Sequence, residues 1–416
     1  MRIEENLYLT YCTNIHPGNL WSEVETNIKK YGPELKKRVS PENPFGIGLR
    51  LSNAATEELL EKDNLHTFRS YLDQEELYVF TLNGFPYGSF HGEKVKEAVH
   101  SPDWQTDKRG DYTVRLVQIL SRLLPDNIKE GSISTSPLSY KHWVNQDDPA
   151  IWELCLQQLI RVVKECIKVK EDTGQMIHLD LEPEPDGLLE DSQEVINFYQ
   201  EHLLKKGAEI LSDNLNIKIG EAQSYLLDHI RICLDTCHMA IEYETPDDFV
   251  DRMVKAGIKI GKVQISSALK VPVAKTSQSL EGRKAINEAL LPFAESTYLH
   301  QVIQKNKDGS LLRYPDLPKA LDKLEHYDID DAMEWRVHFH VPVFVKDYAL
   351  FTSTQEEIID TLALQKKFPF CRHFEVETYT WEVLPNELKD DLTQLITHEL
   401  QWVKNSWSQL KGDNPT

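Results

Sequence analysis

This sequence predicts an α/β fold, a (β/α)8 barrel. Three observations carry that expectation. Eight short β-rich runs alternate with longer segments of helical periodicity, which favours a closed barrel over an open wound sheet. Several of the runs, IGLRL and LYVFTL among them, are apolar enough to be strands covered on both faces. No glycine-rich phosphate fingerprint follows the first run, which counts against a dinucleotide-binding sheet.

The strands are expected at residues 7–13, 46–52, 77–83, 131–135, 176–182, 231–235, 259–265 and 373–379. The clearest helix is 152–170, in which Leu154, Leu156, Leu159, Ile160, Val163 and Ile167 recur at three- and four-residue steps. The 416 residues exceed the ~250 of a plain barrel, and the surplus falls in one place. Between 268 and 332 the chain is too long for one helix, and Asp308-Gly309 reads as a hairpin turn between two β-like runs. The extended run WRVHFHVPVFV, 335–345, follows. We read 268–345 as an insertion after strand seven that caps the barrel mouth, since long segments with apolar residues to bury are usually lids or binding loops. No linker rich in Pro, Gly or Ser divides the chain, so residues 1–416 are expected to form one domain that includes this cap. An amphipathic helix is expected at 392–410, with the terminal KGDNPT frayed.

Composition narrows the function. The formal net charge is −21, which argues against a nucleic-acid partner, because phosphate contacts need clustered Lys and Arg. The six cysteines are scattered and form no CxxC, so a reducing cytoplasm is the expected compartment. The N-terminus lacks a signal-type apolar run, and no stretch approaches ~18 apolar residues.

In a barrel of this kind, functional groups sit at the C-terminal ends of the strands. Those ends are rich in metal-binding residue types. Strand five ends HLDLEPEPDG, with Glu182 and Glu184. Strand six ends CLDTCHM, with Asp235 and His238, and strand seven carries Gln264. The insertion carries HFH, with His338 and His340, and strand eight carries Glu375 and Glu377. The first and third strands feed His16, Asn83 and His91. Carboxylate oxygen and imidazole nitrogen together suit a divalent ion such as Zn, Mn or Fe. H-x-H on an extended segment turns both rings to one face. Cys237, between Asp235 and His238, is expected to point into packing.

CLDTCHM, the H-x-H and the final glutamates resemble the endonuclease IV branch of the xylose-isomerase-like superfamily, whose Asp and His bind zinc. Two positions depart from that pattern: His338 stands where that branch has Asp, and Gln264 where it has His. The VQIS run with Gln264 is similar to the hydroxypyruvate-isomerase and sugar-epimerase branch. That resemblance implies one divalent ion held by Glu182, Asp235, Gln264 and Glu377, and leaves His238 open between ligand and substrate contact. Across almost the whole chain, LTYCTNIHPG, PFGIGLRLS, LYVFTLNGFPYGSFHG, GSISTSP, HLDLEPEPDG, LDTCHM and EVETYTW resemble the EboE family, the xylose-isomerase-like proteins of the ebo gene cluster. That likeness implies a role in metabolite transport toward the periplasm, with other proteins of the cluster, membrane ones included, as partners.

Three functions compete. The first is an isomerase or epimerase of a small polyhydroxylated or keto metabolite, with Glu182 and Glu377 as catalytic acid and base. Its metal ligands would be Glu182, Asp235, His238, Gln264, His340 and Glu377, and its substrate contacts His16, Asn83, His91, Glu184 and His338. The second is a metal-dependent phosphoester hydrolase of the endonuclease IV type. The third is a carrier or scaffold that binds a metabolite without turning it over.

Overall fold

The chain is described from a computed structural model, over residues 1–91, 95–277, 279–294, 297–326, 329, 331–380 and 391–410. The frayed tail expected at KGDNPT lies outside the described residues. Eight parallel strands are present where the runs predict them. They span Leu7–Tyr11, Phe45–Arg50, Leu77–Asn83, Glu130–Thr135, Met176–Leu181, Ile230–Asp235, Ile260–Ile265 and His373–Val376. Numbered in that order, they lie side by side as one, eight, seven, six, five, four, three, two. A short strand, Arg2–Glu4, doubles back antiparallel on strand one.

The seam between strands one and two closes largely through side chains. Cys12 bridges Gly48. The Thr10 hydroxyl donates to Gly46 O and accepts from Gly48 N, and Arg50 N donates to the Thr13 hydroxyl. These bonds satisfy ladder groups that would otherwise be orphaned in the interior.

The strands of IGLRL and LYVFTL are buried at every position, as expected, but the inward face of the later strands is largely polar. His178, Asp180 and Glu182 alternate inward along strand five, and His373, Glu375 and Glu377 share one face in and just past strand eight, as the two-residue period requires. They meet partners from across the barrel. His373 Nδ1 lies 2.8 Å from the Ser132 hydroxyl, which donates to Thr81 Oγ1 at 2.7 Å. Lys262 Nζ lies 2.5 Å from Glu375 Oε2 and donates to Ser134 Oγ at 3.2 Å. Two glycines make the room. A Cβ on Gly48 would fall 1.6 Å from Glu375 Oε1, and one on Gly261 would fall 2.1 Å from Asp180 Oδ1. The alternate residues, such as Leu179, Leu181, Ile232 and Phe374, are fully buried in the main apolar core, which also takes in the surrounding helices.

After strand seven the chain builds a second, antiparallel sheet. Its strands, in spatial order, are Leu311–Tyr314, Val302–Asn306, Ala332–Val337, Leu269–Val271, Phe351–Ser353 and Asp347–Tyr348. The hairpin at Asp308-Gly309 joins the first two, with Gly309 at φ +85° as its turn requires. This sheet runs to Ser353, eight residues past the boundary expected at 345, and helix Gln355–Lys367 then returns the chain to strand eight. The ladder stops at Val337, so His338 and His340 lie just beyond a strand end rather than inside an extended run. The C-terminal helix spans Leu392–Gln409. Among the described residues no helix is long and apolar enough to cross a membrane.

Candidate metal centre

The strand ends bring together a set of carboxylates. Ligand atoms of Glu182, Asp235 and Glu377 all lie within 4.8 Å of one another, and all three side chains are buried. Asp235 is placed by a helix start. It caps the single turn Thr236–Ile241, its Oδ1 accepting from Cys237 N at 2.8 Å, His238 N at 3.0 Å and the Ser266 hydroxyl at 2.5 Å. A carboxylate so held by one oxygen presents the other in a fixed direction. Glu377 is placed by two amides: Asn14 Nδ2 and Asn83 Nδ2 both donate to its Oε1, at 2.6 and 2.8 Å. Gln264 pairs in register with Asp235 on one side and Glu375 on the other, so it faces the same interior.

Several atoms of the cluster are unbonded. Glu182 Oε2, Asp235 Oδ2 and both polar atoms of Gln264 are buried without a hydrogen-bond partner. Buried polar groups are rarely left so. Burial, with the carboxylates of Glu377 and Asp235 close by, drives the Glu182 carboxyl well above its ordinary range. Burial, with Asp235 and Glu375, pushes Glu377 up to about 8. Three carboxylates this close cannot all be ionised away from water unless a cation sits among them. The donor set therefore fits a divalent ion held by Glu182, Asp235, Gln264 and Glu377.

A second donor set adjoins the first. His238, His338 and His340 converge, with His238 Nε2 lying 3.1 Å from His338 Nε2 and 3.4 Å from His340 Nε2. In each ring Nδ1 faces a carbonyl oxygen: Pro183 O at 3.1 Å, Gln301 Oε1 at 2.7 Å and Glu377 O at 3.0 Å respectively. A carbonyl only accepts, so Nδ1 carries the proton in all three, and the Nε2 of His238 faces that of His338 and that of His340. Burial first, and the neighbouring imidazoles second, hold His238 and His338 well below the ordinary histidine range. Second-shell carbonyls fix metal-bound histidines in this tautomer. Asp235, His238 and His340 also lie within 4.8 Å of one another, as do Glu184, His238 and His338.

The other expected site residues divide. Asn83, Glu184 and His338 line the cavity above the carboxylates. His16 does not: its ring stacks on Tyr31 at 4.1 Å and meets the Tyr11 hydroxyl at 3.1 Å, behind the loop. His91 does not line it either; its Nε2 faces Asn14 O, and so it steadies the backbone of the residue that holds Glu377. Cys237 is packed in a small apolar cluster and donates to Phe339 O at 3.2 Å, yet its sulfur also lies within 4.8 Å of His338 and His340. Sequence reasoning missed Asn14, His100 and Gln301. Asn14, two residues before His16 in the same strand-end loop, was within reach of the strand-end rule. Gln301 lies inside the insertion, where no motif marks it.

No protein-family model matches the chain, and no curated protein matches it. Solved structures do. A xylose isomerase-like TIM barrel protein from Mycobacterium smegmatis, in complex with magnesium, aligns over 99% of this chain and 100% of its own, at 10% identity and a TM-score of 0.50. A D-allulose 3-epimerase from Methylomonas sp. aligns over 96% of this chain and 98% of its own, at 10% identity and a TM-score of 0.47. An IolI protein with a bound zinc atom aligns over 97% and 99%, at 11% identity and a TM-score of 0.45. The fold is thus that of a (β/α)8 TIM barrel, shared with the magnesium-bound structure.

Proposed function

We propose that this protein is a metal-dependent isomerase or epimerase of a small polyhydroxylated or keto metabolite, and that it belongs with the EboE proteins and their traffic toward the periplasm. The observation that carries the chemistry is the buried Glu182–Asp235–Glu377 cluster with its unbonded oxygens. The family assignment rests on the sequence runs from LTYCTNIHPG to EVETYTW.

The cation would be held by Glu182, Asp235, Gln264 and Glu377, with His238 and His340 beside it. Bound there, a divalent cation polarises a substrate oxygen and acidifies the neighbouring C–H bond. Glu182 and Glu377 come to that position from strands five and eight. One removes the proton from carbon. The other returns a proton to the same carbon from the opposite face, or to the neighbouring carbon. Asn14 and Asn83 bind one oxygen of Glu377 and leave the second for this work. Residues 268–345 supply Tyr298, Leu299, Gln301, His338 and His340 to the cavity wall, and as a cap they exclude bulk water.

The test is elemental analysis of protein purified without chelator, followed by deuterium wash-in from D2O into α-hydroxyketones. Transition metal or Mg2+ is expected to be retained. Asp235→Asn is expected to lower metal content far more than Asp247→Asn in the following helix. Metal-free protein that takes up no divalent ion would sink the reading.

The three converging Nε2 atoms favour a second reading, a two-ion phosphoester hydrolase, since paired ions clamp attacking and leaving oxygens. Two or more ions per chain, with metal-dependent nicking of an abasic duplex that Glu182→Gln abolishes, would establish it over isomerase chemistry.

A further inference from the structure

The cavity above the carboxylates is partly enclosed. Its floor carries Glu182 and Glu377 with His238 and His340. Its walls differ in kind. The loop after strand three and the short helix Lys96–His100 bring Phe85, Phe90, Val95 and Val99; the insertion brings Tyr298; the segment after strand eight brings Tyr379. The rings of Phe90, Tyr298 and Tyr379 form a triangle, with centroids 5.3, 5.1 and 5.1 Å apart. The wall is stitched rather than loose. Val95 N and Lys96 N both donate to Thr297 O at 2.8 Å, and Lys96 Nζ lies 2.5 Å from Asp316.

Several of the polar groups on these walls are already engaged. The amide nitrogens of Asn14 and Asn83 donate to Glu377. Gln301 donates to Pro185 O and accepts from His338. His100 meets Glu184 at 3.1 Å, and the Tyr298 hydroxyl donates to Phe90 O at 3.0 Å. A hexose buried here would bring four or so hydroxyls past the metal-binding pair, and of the groups just named Asn14 Oδ1 and His100 Nδ1 keep no partner of their own, fewer than those hydroxyls require. Each hydroxyl desolvated without a partner weakens binding. An apolar surface laid on the same wall strengthens it.

We propose that the site takes an amphipathic hydroxycarbonyl compound, with a short head of adjacent oxygens on the carboxylate cluster and a flat apolar body against Phe85, Phe90, Tyr298 and Tyr379. The head rests on the metal-site reading above; the body rests on the wall alone.

Three probes separate the two: 2-hydroxy-1-phenylethanone, with head and ring; dihydroxyacetone, the head alone; and fructose, a similar head with a polyol body. Their affinities are measured by calorimetry on the full chain, loaded with Mn2+ and again after chelation. The phenyl hydroxyketone is expected to bind about tenfold or more tighter than either other probe. Phe90→Ala is expected to erase that advantage and Phe90→Leu to keep most of it, with metal content unchanged in both. Fructose binding as tightly as the phenyl compound, no measurable binding of the phenyl compound, or an advantage that survives Phe90→Ala in folded protein would each overturn the proposal. Affinities indifferent to chelation would remove the metal reading instead, while the phenyl-to-fructose ratio still decides the nature of the wall.

Discussion

Beneath the carboxylate cluster, Lys262 and Glu375 form an ion pair with no solvent exposure on either side chain. Burial alone would lower the lysine, but the Glu375 carboxylate outweighs it and holds the ammonium above its ordinary range. Glu375 has no other partner: neither of its oxygens accepts a further bond. Lys262→Met therefore strands an unpaired carboxylate in the barrel. Breaking a buried pair from one side costs about 3–5 kcal/mol. With an unfolding entropy of ~2.1 cal/mol/K per residue over this chain, that is a fall in Tm of roughly 3–6 °C. Replacing both partners, Lys262→Met with Glu375→Leu, removes the stranded charge and is expected to recover most of the loss. Thermal unfolding followed by circular dichroism, on both singles and the double, reads the cycle. Single variants that fall by under 1 °C, or a double as unstable as Lys262→Met alone, would show that water or a neighbour compensates Glu375 and that the pair does not hold this layer.

Three further outcomes follow from the same geometry. Titrated with Mg2+, the protein is expected to saturate near one ion per chain at the oxygen donors, and with Zn2+ to continue to a second at the three histidines, because imidazole selects the softer ion; equal stoichiometry for both would remove the distinction between the two donor sets. Glu377, raised to about 8 by burial and by Asp235, is protonated in the cation-free site below that value, so metal affinity is expected to rise with pH up to about 8 with release of protons, and calorimetry in buffers of different ionisation enthalpy counts them. Glu399, on the C-terminal helix, is raised by burial from 4.5 to about 8 while accepting from Thr378 Oγ1 and Val343 N. A raised carboxyl contributes stability that is full below its unfolded value and lost as pH climbs through the folded one, a loss on the order of 4 kcal/mol here. Glu399→Gln is therefore expected to match the native protein near pH 4.5 and to melt higher above pH 8; matching Tm values at pH 9 would refute the assignment.

The strands were legible because eight apolar runs broken by helical periods admit few other folds. Their inward faces were not. Along strand five, His178, Asp180 and Glu182 interleave with Leu179 and Leu181, and the alternation alone does not say which set faces inward; Gly48 and Gly261, which open the space for Glu375 and Asp180, carry no such meaning until the barrel is closed. The site was legible where one motif held several donors, as in LDTCHM, because adjacent residues share a strand end. It was illegible where the contact is long-range. His16 drew attention as an imidazole in a strand-end loop, yet it stacks on Tyr31, and the amide that reaches Glu377 belongs to Asn14, more than 360 residues away along the chain. The insertion's hairpin could be read from Asp308-Gly309, whereas the pairing of Leu269–Val271 with both Ala332–Val337 and Phe351–Ser353 could not, since antiparallel register across such separations leaves no local trace.

The balance of fixed charge in the mouth favours a cation there. Lys262 is the nearest buried cation below the cluster, but at 2.5 Å from Glu375 its charge is already matched. Among the described residues lining the cavity, Lys96 is the one lysine or arginine, and Asp316 matches it. The histidines offer no positive charge either: their Nδ1 protons point at carbonyls, and burial keeps His238, His338 and His340 below their ordinary range. Glu182, Asp235 and Glu377 are thus left without a protein counter-charge, and each has its position fixed from behind by strand, helix cap or paired amides. Protons can neutralise such a cluster, and burial with the neighbouring carboxylates raises Glu182 and Glu377 toward that form. Protons leave Gln264 and the three Nε2 lone pairs unaddressed, whereas a divalent ion answers the carboxylates and the amide oxygen together. The segment after the second sheet's third strand brings His338 and His340 to His238, and so sets a neutral, nitrogen-rich group directly beside an anionic, oxygen-rich one.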